Sequence, residues 1–157
     1  MNIYWLCTLL LAALPIIELR GAIPLAIFAW GIDPVSAAII GIIGSFLPVI
    51  PGILFLKFLS GWLSDRFYVL NRFFAWLFEH TQKKHGGTFN EFRDLALFII
   101  AAIPLPLMGA YSGALVAFVF GVPIKRASAL IFAGTVVSGI IITVLCLIAP
   151  DVINSIR

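Results

Sequence analysis

The chain has 157 residues, of which 62% are hydrophobic and 11% are charged, and its mean hydropathy is +1.16. A water-soluble domain of this length cannot bury so much apolar surface, so the composition excludes an ordinary soluble enzyme. Uncharged runs at 34–56, 95–124 and 127–150 predict membrane segments. The net charge is +3, but five of the ten Lys and Arg residues lie in one central segment between hydrophobic runs, which favours a membrane surface over nucleic acid as the partner.

The first hydrophobic region, 3–32, is longer than the roughly 20 residues that a spanning helix needs. Its middle carries charged and helix-breaking residues, namely Pro15, Glu18, Arg20, Gly21 and Pro24. This pattern predicts two half-helices around a broken tip. Such backbone is tolerated at membrane depth only where protein or a water-filled cavity satisfies its polar groups, so the tip should face the protein interior.

A first full transmembrane helix is predicted over 34–59. Asp33 is expected as its N-cap and Pro34 as its first helical residue. Gly41 and Gly44 offer a face for close helix packing. A kink is predicted at three helix-breaking residues: Pro48, Pro51 and Gly52.

The central segment, 60–94, holds nine of the 17 charged residues and both histidines. Its apolar residues recur at helical spacing, which predicts an amphipathic helix at the membrane interface, ending near His85. Thr88 and Glu91 then have the spacing of a capping box that starts another helix. His80 and His85 do not have the spacing of a metal site, and no metal or other cofactor is expected.

The region 95–124 repeats the pattern of the first one, with breaks at Pro104, Pro106, Gly109 and Gly113. It predicts a second broken hairpin. A second full span follows over 127–150, with Gly134 and Gly139 available for packing and Pro150 marking its end.

The two halves correspond in order, because each has a broken hairpin, a turn and an uninterrupted helix. Pro15 matches Pro104 and Pro34 matches Pro123, while Gly31 matches Gly121 with a slip of one residue. A re-entrant hairpin returns to its own side, so each half contributes one net crossing and the second half enters from the opposite face. The expected fold is an all-α integral membrane protein with an inverted repeat.

One membrane domain is therefore expected over 1–157, with repeats at 1–59 and 95–157 around the interfacial segment 60–94. With re-entrant hairpins, the Lys and Arg residues outside the first tip divide eight to one between the two sides. Four complete crossings would give seven to two. The positive-inside rule thus favours a multi-pass protein of the cell membrane, with a cytoplasmic central segment and termini on the outer side.

Glu18 and Arg20 are the strongest candidates for function, because ionised side chains at membrane depth cost roughly 2.5–3.5 kcal/mol each on insertion scales. Arg20 is expected to bind an anionic head group and Glu18 to carry a proton, with Gly21 and Pro24 exposing backbone groups to the substrate. The alternative is a structural pair that neutralises itself. Asp33 is a second proton-coupling candidate, although a helix cap is its simpler role.

The second tip is uncharged, so it can offer only backbone groups and hydroxyls to a substrate. Its candidates are Pro104, Pro106, Gly109, Tyr111 and Ser112, and tight helix packing is the alternative. Lys125 and Arg126 can attract lipid phosphates, but they are also ordinary topology determinants. No catalytic set is visible, and Cys7 and Cys146 are expected to be buried packing thiols.

The run Glu-Leu-Arg-Gly-Ala-Ile-Pro at 18–24, the second proline-glycine hairpin and the total length together resemble the bacterial and archaeal small multidrug export protein family. That family resembles the DedA superfamily, which implies two opposed re-entrant hairpins and the movement of lipids or lipid-linked phosphates. The resemblance puts Glu18 and Arg20 where DedA proteins keep essential acidic residues, with Asp33 as a second acid. The chain departs from the DedA pattern in lacking arginines in its second hairpin.

The expected function is therefore a transporter of a lipid-linked anion, polyprenyl (undecaprenyl-type) phosphate or a phospholipid, coupled to protons through Glu18. Membrane lipids and a second copy of the chain, in a homodimer, are the expected partners. One alternative is an exporter of small cationic drugs with Glu18 as counter-charge, which the like charge of Arg20 opposes. Another is a non-transporting scaffold. An enzyme is not expected.

Overall fold

The computed structural model describes residues 3–66, 87–104 and 109–155, and these residues form helices joined by short turns, without a strand. Most of the predicted interfacial helix lies outside them. The described residues contain seven helices: α1 Ile3–Ala12, α2 Glu18–Phe28, α3 Pro34–Phe46, α4 Val49–Arg66, α5 Gly87–Ala102, α6 Ala110–Val119 and α7 Ile124–Ser155.

Both predicted hairpins are broken as expected. In the first, α1 ends at Ala12 and α2 begins at Glu18, with Pro15 in the irregular segment between them. In the second, α5 ends at Ala102 and α6 begins at Ala110. The breaks follow from proline, which has no amide hydrogen and cannot continue the hydrogen bonds of a helix.

One predicted irregularity is present and one predicted helix end is not. At the expected kink, Leu47 and Pro48 interrupt the helix between α3 and α4, while the amides of Leu47 and Gly52 still donate to the carbonyls four residues earlier. Pro150 does not end the last helix, since α7 continues to Ser155. A proline removes one hydrogen bond but its own φ is helical, and such residues are tolerated in membrane helices.

The turn that follows each hairpin has the same form in both halves. Gly31 and Gly121 both have φ of +62°, a left-handed conformation that glycine adopts without steric cost. Each glycine is followed by a residue whose amide bonds back to the preceding helix, Ile32 to the Ala26 carbonyl and Val122 to the Ala117 carbonyl. This is the C-terminal arrangement of a Schellman-type cap.

The packing of the helices also recurs at a spacing of ninety residues. A Cβ at Gly44 would lie 2.6 Å from the Leu9 carbonyl oxygen of α1, and a Cβ at Gly134 would lie 2.7 Å from the Phe98 carbonyl oxygen of α5. Gly44 and Gly134 therefore allow the backbones of α1 and α3, and of α5 and α7, to touch. Gly139 likewise packs on Ile42.

One contact in the repeat has its partners exchanged. In the first half, Gly41 of α3 receives the side chain of Ile23 from α2. In the second half, Gly113 of α6 receives the side chain of Ile131 from α7. Both contacts join the second helix of a hairpin to the helix that follows the turn, so the hairpin is held against that helix in the same way.

The buried side chains form two clusters. One joins α2 and α3 to Ile142 and Cys146 near the end of α7. The other joins α4, α5 and α6 to Ala127 and Ile131 near the start of α7. Helix α7 therefore belongs to both cores. Cys146 is buried as predicted, but Cys7 is only half-buried, because it lies towards the outer face of α1.

The surface agrees with a protein that lies in a membrane. Among the described residues, two helical stretches are long and apolar enough to cross one, Pro34–Leu59 and Ile124–Ala149. The first of them includes the break at Pro48. Large aliphatic and aromatic side chains, such as Ile3, Phe58 and Leu145, are more than half exposed. Water would disfavour so large an apolar surface, whereas lipid would cover it.

In each hairpin, the first helix contacts a residue at, or just before, the start of the helix that follows the hairpin. At the first one, the ring of Tyr4 in α1 stacks on Trp30, just after α2, with 5.6 Å between ring centroids. At the second one, Asp94 of α5 forms an ion pair with Arg126, at the start of α7. The start of each hairpin thus lies beside the start of the helix that follows it.

Candidate functional site

The candidate site lies where the tips of the two broken hairpins meet. Helix α2 starts at Glu18, whose φ of +50° is positive, a conformation that costs a residue other than glycine about 1–2 kcal/mol. Its side chain is 6% exposed. A buried carboxylate needs hydrogen-bond donors that stabilise its charge, and Glu18 has two.

The first partner is Arg20, whose Nη2 donates to Oε2 of Glu18 at 2.9 Å. Residues two apart on a regular helix do not face each other, but the irregular backbone at Glu18 brings these two together. The Arg20 side chain is 22% exposed. The pair that the sequence suggested is therefore formed, and it leaves the tip without net charge.

The second partner belongs to the other hairpin. The backbone amide of Ala110, at the start of α6, donates to Oε1 of Glu18 at 2.8 Å. The carboxylate thus caps a helix far away in sequence, where unpaired amides and the helix dipole favour a negative charge. One side chain therefore links Arg20 of the first half to the backbone of the second half.

Gly109 makes this approach possible. A Cβ at this position would lie 2.2 Å from Oε2 of Glu18, so any side chain here would displace the carboxylate. The backbone at Gly109 is extended, so the glycine is required by the close contact rather than by its φ. Among the glycines of the second hairpin, this one has a direct role at the site.

A second contact joins the two tips. The hydroxyl of Tyr111 donates to the carbonyl oxygen of Ala13, in the irregular segment before Glu18. The uncharged second tip therefore contacts the first tip through a backbone amide and a hydroxyl. The Ala13 carbonyl and the Ala110 amide could not be found from sequence, because every residue has such groups.

An apolar groove of about 440 Å³ runs between α4 and α6 beside this junction. Tyr111 and Ser112 line one wall, and Phe55 and Leu56 line the other. Pro48 and Gly52 also line the groove. The site thus combines a neutralised ion pair with an adjoining surface for an apolar chain.

The other predicted site residues of the first hairpin lie inside α2. Gly21 is on the first turn, against the side chain of Ile17. Pro24 is within the helix, so the carbonyl of Arg20 loses the amide partner that it would have in a regular helix. Pro104 follows α5 and Pro106 lies outside the described residues.

Three predicted residues lie away from the junction. Asp33 is the N-cap of α3 as predicted, with Oδ2 accepting from the amide of Ser36 at 3.1 Å. It is separated from Glu18 by the length of α2, about 16 Å. Lys125 is exposed, and Arg126 pairs with Asp94, a buried acid that the sequence analysis left among the interfacial charges.

Asp94 also accepts from Arg93, with 3.3 Å between Nη2 and Oδ1. The sequence does contain one indication that Asp94 is buried, because a long apolar run begins directly after it. Within the part of the chain that the structure describes, no three His, Cys, Asp or Glu side chains are grouped as a metal would require. His80 and His85 lie outside that part.

Comparison with known proteins gives one family. A family model described as "Putative small multi-drug export protein" matches residues 18–141, which run from the start of α2 through the second hairpin into the middle of α7. No curated protein and no solved structure matches the chain. The matched region starts at Glu18 itself.

Proposed function

The chain belongs to the small multi-drug export protein family, and on that premise we propose that it is a proton-coupled membrane transporter of amphipathic anions. The proposal is carried by one observation, the buried carboxylate of Glu18 that binds Arg20 and the start of α6 at once. Its membership of an export-protein family and its two long apolar helical stretches indicate a membrane protein.

Protonation of Glu18 is the proposed coupling step. A neutral carboxyl group no longer forms an ion pair with Arg20, and it is a weaker acceptor for the Ala110 amide. One proton would therefore release the guanidinium and loosen the contact between the hairpins together. Arg20 would then be free to bind an anionic group, and loss of the proton would restore the pair and release the substrate.

The charge at the tip selects against cations. A cation that approached Glu18 would have to displace Arg20 and would meet its positive charge at short range. An anion needs only the guanidinium, which can donate two parallel hydrogen bonds to a phosphate, sulfonate or carboxylate. The groove between α4 and α6 suits an apolar body attached to such a head.

Two sources have this chemistry, a small anionic drug and a lipid-linked phosphate such as a polyprenyl phosphate or a phospholipid. Both present an acidic head and an apolar part. Lys125, exposed at the start of α7, and its neighbour Arg126 would attract either one towards the membrane surface. Gly21, Pro24, Pro104, Gly109, Tyr111 and Ser112 would shape the passage, and Pro106 belongs to the same proposal.

The proposed membrane arrangement is an inverted repeat with two re-entrant hairpins. The Tyr4–Trp30 stack and the Asp94–Arg126 pair support it, because each brings the two ends of one hairpin together. A hairpin that crossed the membrane would instead have its ends on opposite faces. The central segment is then cytoplasmic and the termini are outside, and a homodimer would cover helix faces that two spans leave open.

Transport into proteoliposomes tests the function. The purified chain would be reconstituted with a pH gradient, and the movement of 8-anilinonaphthalene-1-sulfonate, a labelled polyprenyl phosphate and the cation ethidium would be followed. We expect gradient-dependent movement of an anion, lost in Arg20→Ala. In Glu18→Gln the response to the gradient should disappear. The exposed Glu91→Gln serves as a matched control and should transport normally.

The probes separate the two sources of anion. Movement of the sulfonate alone would identify a drug exporter, and movement of the polyprenyl phosphate alone would identify a lipid transporter. Ethidium movement that survives in Arg20→Ala would contradict anion selectivity. If folded wild-type protein moves none of the three, the transporter proposal is wrong, and the scaffold alternative takes its place.

A further inference from the structure

A second pocket lies far from the junction, at the opposite end of the first hairpin, where the start of α1 lies beside the end of α2. It has a volume of about 240 Å³ and is lined by three aromatic side chains, Tyr4, Trp5 and Trp30, and by the polar residues Asp33 and Ser36. The proposed transport step uses none of these residues. Helix α2, about 16 Å long, separates the pocket from Glu18.

The aromatic rings of this pocket are not buried in the core. Tyr4 is 49% exposed and Trp5 is 42% exposed, and the Tyr4 and Trp30 rings stack with their planes 28° apart. Stacking holds the two rings together, and Trp30 is only partly buried where it packs on the cluster of α2 and α3. The face of an aromatic ring carries partial negative charge and attracts cations, most strongly for tryptophan.

Asp33 supplies the formal charge. Among the described residues that line the pocket it is the charged one, and its side chain is exposed. Its Oδ2 caps α3 through Ser36, while Oδ1 accepts no hydrogen bond from the described residues. The C-terminal end of α2 adds partial negative charge beside the pocket, which offsets the opposite charge at the start of α3.

An aromatic wall with one carboxylate is the chemistry that recognises an organic ammonium group. A belt of interfacial tryptophan and tyrosine would explain the rings alone, but not a concave site that also holds a free carboxylate oxygen. We propose that this pocket binds an organic ammonium group, from a free quaternary amine or from a zwitterionic lipid headgroup. This site is independent of the proposed transport of anions.

The test is direct binding to the full-length protein in nanodiscs of phosphatidylglycerol. Choline is the probe and uncharged 3,3-dimethyl-1-butanol, which has the same shape, is its control; tryptophan fluorescence reports binding. We expect saturable binding of choline and a much weaker response to the alcohol. Equal responses to both would overturn the proposal, because the pocket would then recognise only apolar shape.

Two variants test the parts of the pocket. Asp33→Asn removes the charge and keeps a side chain that caps a helix as well as aspartate does, so α3 should fold normally. It should weaken choline binding about fivefold or more, the order of a cation–π or exposed ion contact. Trp30→Leu should do the same, and Trp30→Phe should lose less. Unchanged affinity in Asp33→Asn would contradict the role of the carboxylate.

The source of the ammonium group is distinguished by the lipid. If zwitterionic headgroups occupy the pocket, nanodiscs containing phosphatidylcholine should raise the apparent dissociation constant of choline by competition. If free amines are the ligands, lipid composition should leave it unchanged. Because no transport is measured, failure of this proposal leaves the transport proposal untouched, and the reverse also holds.

Discussion

The unusual backbone at Glu18 is the clearest sign of a specialised residue in this chain. Among the described residues, it is the one residue other than glycine with a positive φ. The strain is held by hydrogen bonds from Arg20 and Ala110, one from each half. Such strain persists only where surrounding contacts fix it, which is typical of functional positions.

Gly109 gives a prediction at this scale. Gly109→Ala should lower the stability of the folded protein by about 1–3 kcal/mol, because the new Cβ would overlap the Glu18 carboxylate and displace it from Ala110. Thermal unfolding in detergent measures the change. Gly52→Ala is the matched control, since nothing lies within 4 Å of a Cβ there. Equal melting temperatures for the two variants would contradict the close contact.

The first half of this site is predictable from the sequence, and the second half is not. Charged residues beside Pro15 identified Glu18 and Arg20, because charges at membrane depth are rare and need a partner. The Ala110 amide and the Ala13 carbonyl carry no such signal, since they belong to the backbone. Asp94 was missed for the opposite reason, because other charges surround it in sequence.

At the scale of helices, the Asp94–Arg126 pair joins the middle of α5 to the start of α7. Its two side chains have different surroundings, since Asp94 is 11% exposed and Arg126 is 57% exposed. Loss of the exposed partner lets water approach the remaining charge, whereas loss of the buried partner leaves Arg93 without its acceptor. The two halves of the pair should therefore respond unequally to substitution.

Arg126→Gln is expected to cost about 1 kcal/mol or less, as for a solvent-exposed ion pair. Asp94→Ala should cost about 1–3 kcal/mol, because Arg93 is then left without its hydrogen-bond partner. Unfolding in denaturant measures both values, with the exposed neighbour Lys125→Gln as the control. A larger effect of Arg126→Gln than of Asp94→Ala would contradict the assigned burial.

The helices themselves were largely predictable, and the wrong helix end concerns proline. Composition and helix breakers located all four half-helices of the hairpins. Pro48 interrupts the first span where a kink was predicted, whereas Pro150 lies within α7 instead of ending it. A proline only fixes its own φ and removes one backbone hydrogen bond. Packing with neighbouring helices therefore decides whether the helix bends, breaks or continues.

For the whole molecule, the arrangement in the membrane gives the final prediction. Single cysteines would be placed at the exposed residues Val35, Glu91 and Lys125 in a chain whose Cys7 and Cys146 are replaced by alanine. With re-entrant hairpins, a reagent that cannot cross the membrane should label the Val35 site from one side and the other two sites from the opposite side. Labelling in intact cells and inverted vesicles measures this.

The Lys125 site decides between the two arrangements. If it is labelled from the same side as Val35, the second hairpin crosses the membrane, and the inverted repeat with re-entrant hairpins is wrong. The sequence alone separated these arrangements only by a small difference in charge distribution. The contact between Asp94 and Arg126 adds spatial information that no count of charges contains, because it joins α5 directly to the start of α7.

The exchanged contact between the halves, Ile23 on Gly41 and Gly113 on Ile131, has a consequence for the history of the chain. If both halves descend from one ancestor, the bulky residue moved across the interface in one lineage. A change from one arrangement to the other passes through one of two intermediates. Glycine in both helices would leave a void at the contact, and isoleucine in both helices would make the two side chains overlap. A void costs stability but keeps the helices in register, so ancestral forms of this protein should have had two glycines at this contact and a looser hairpin.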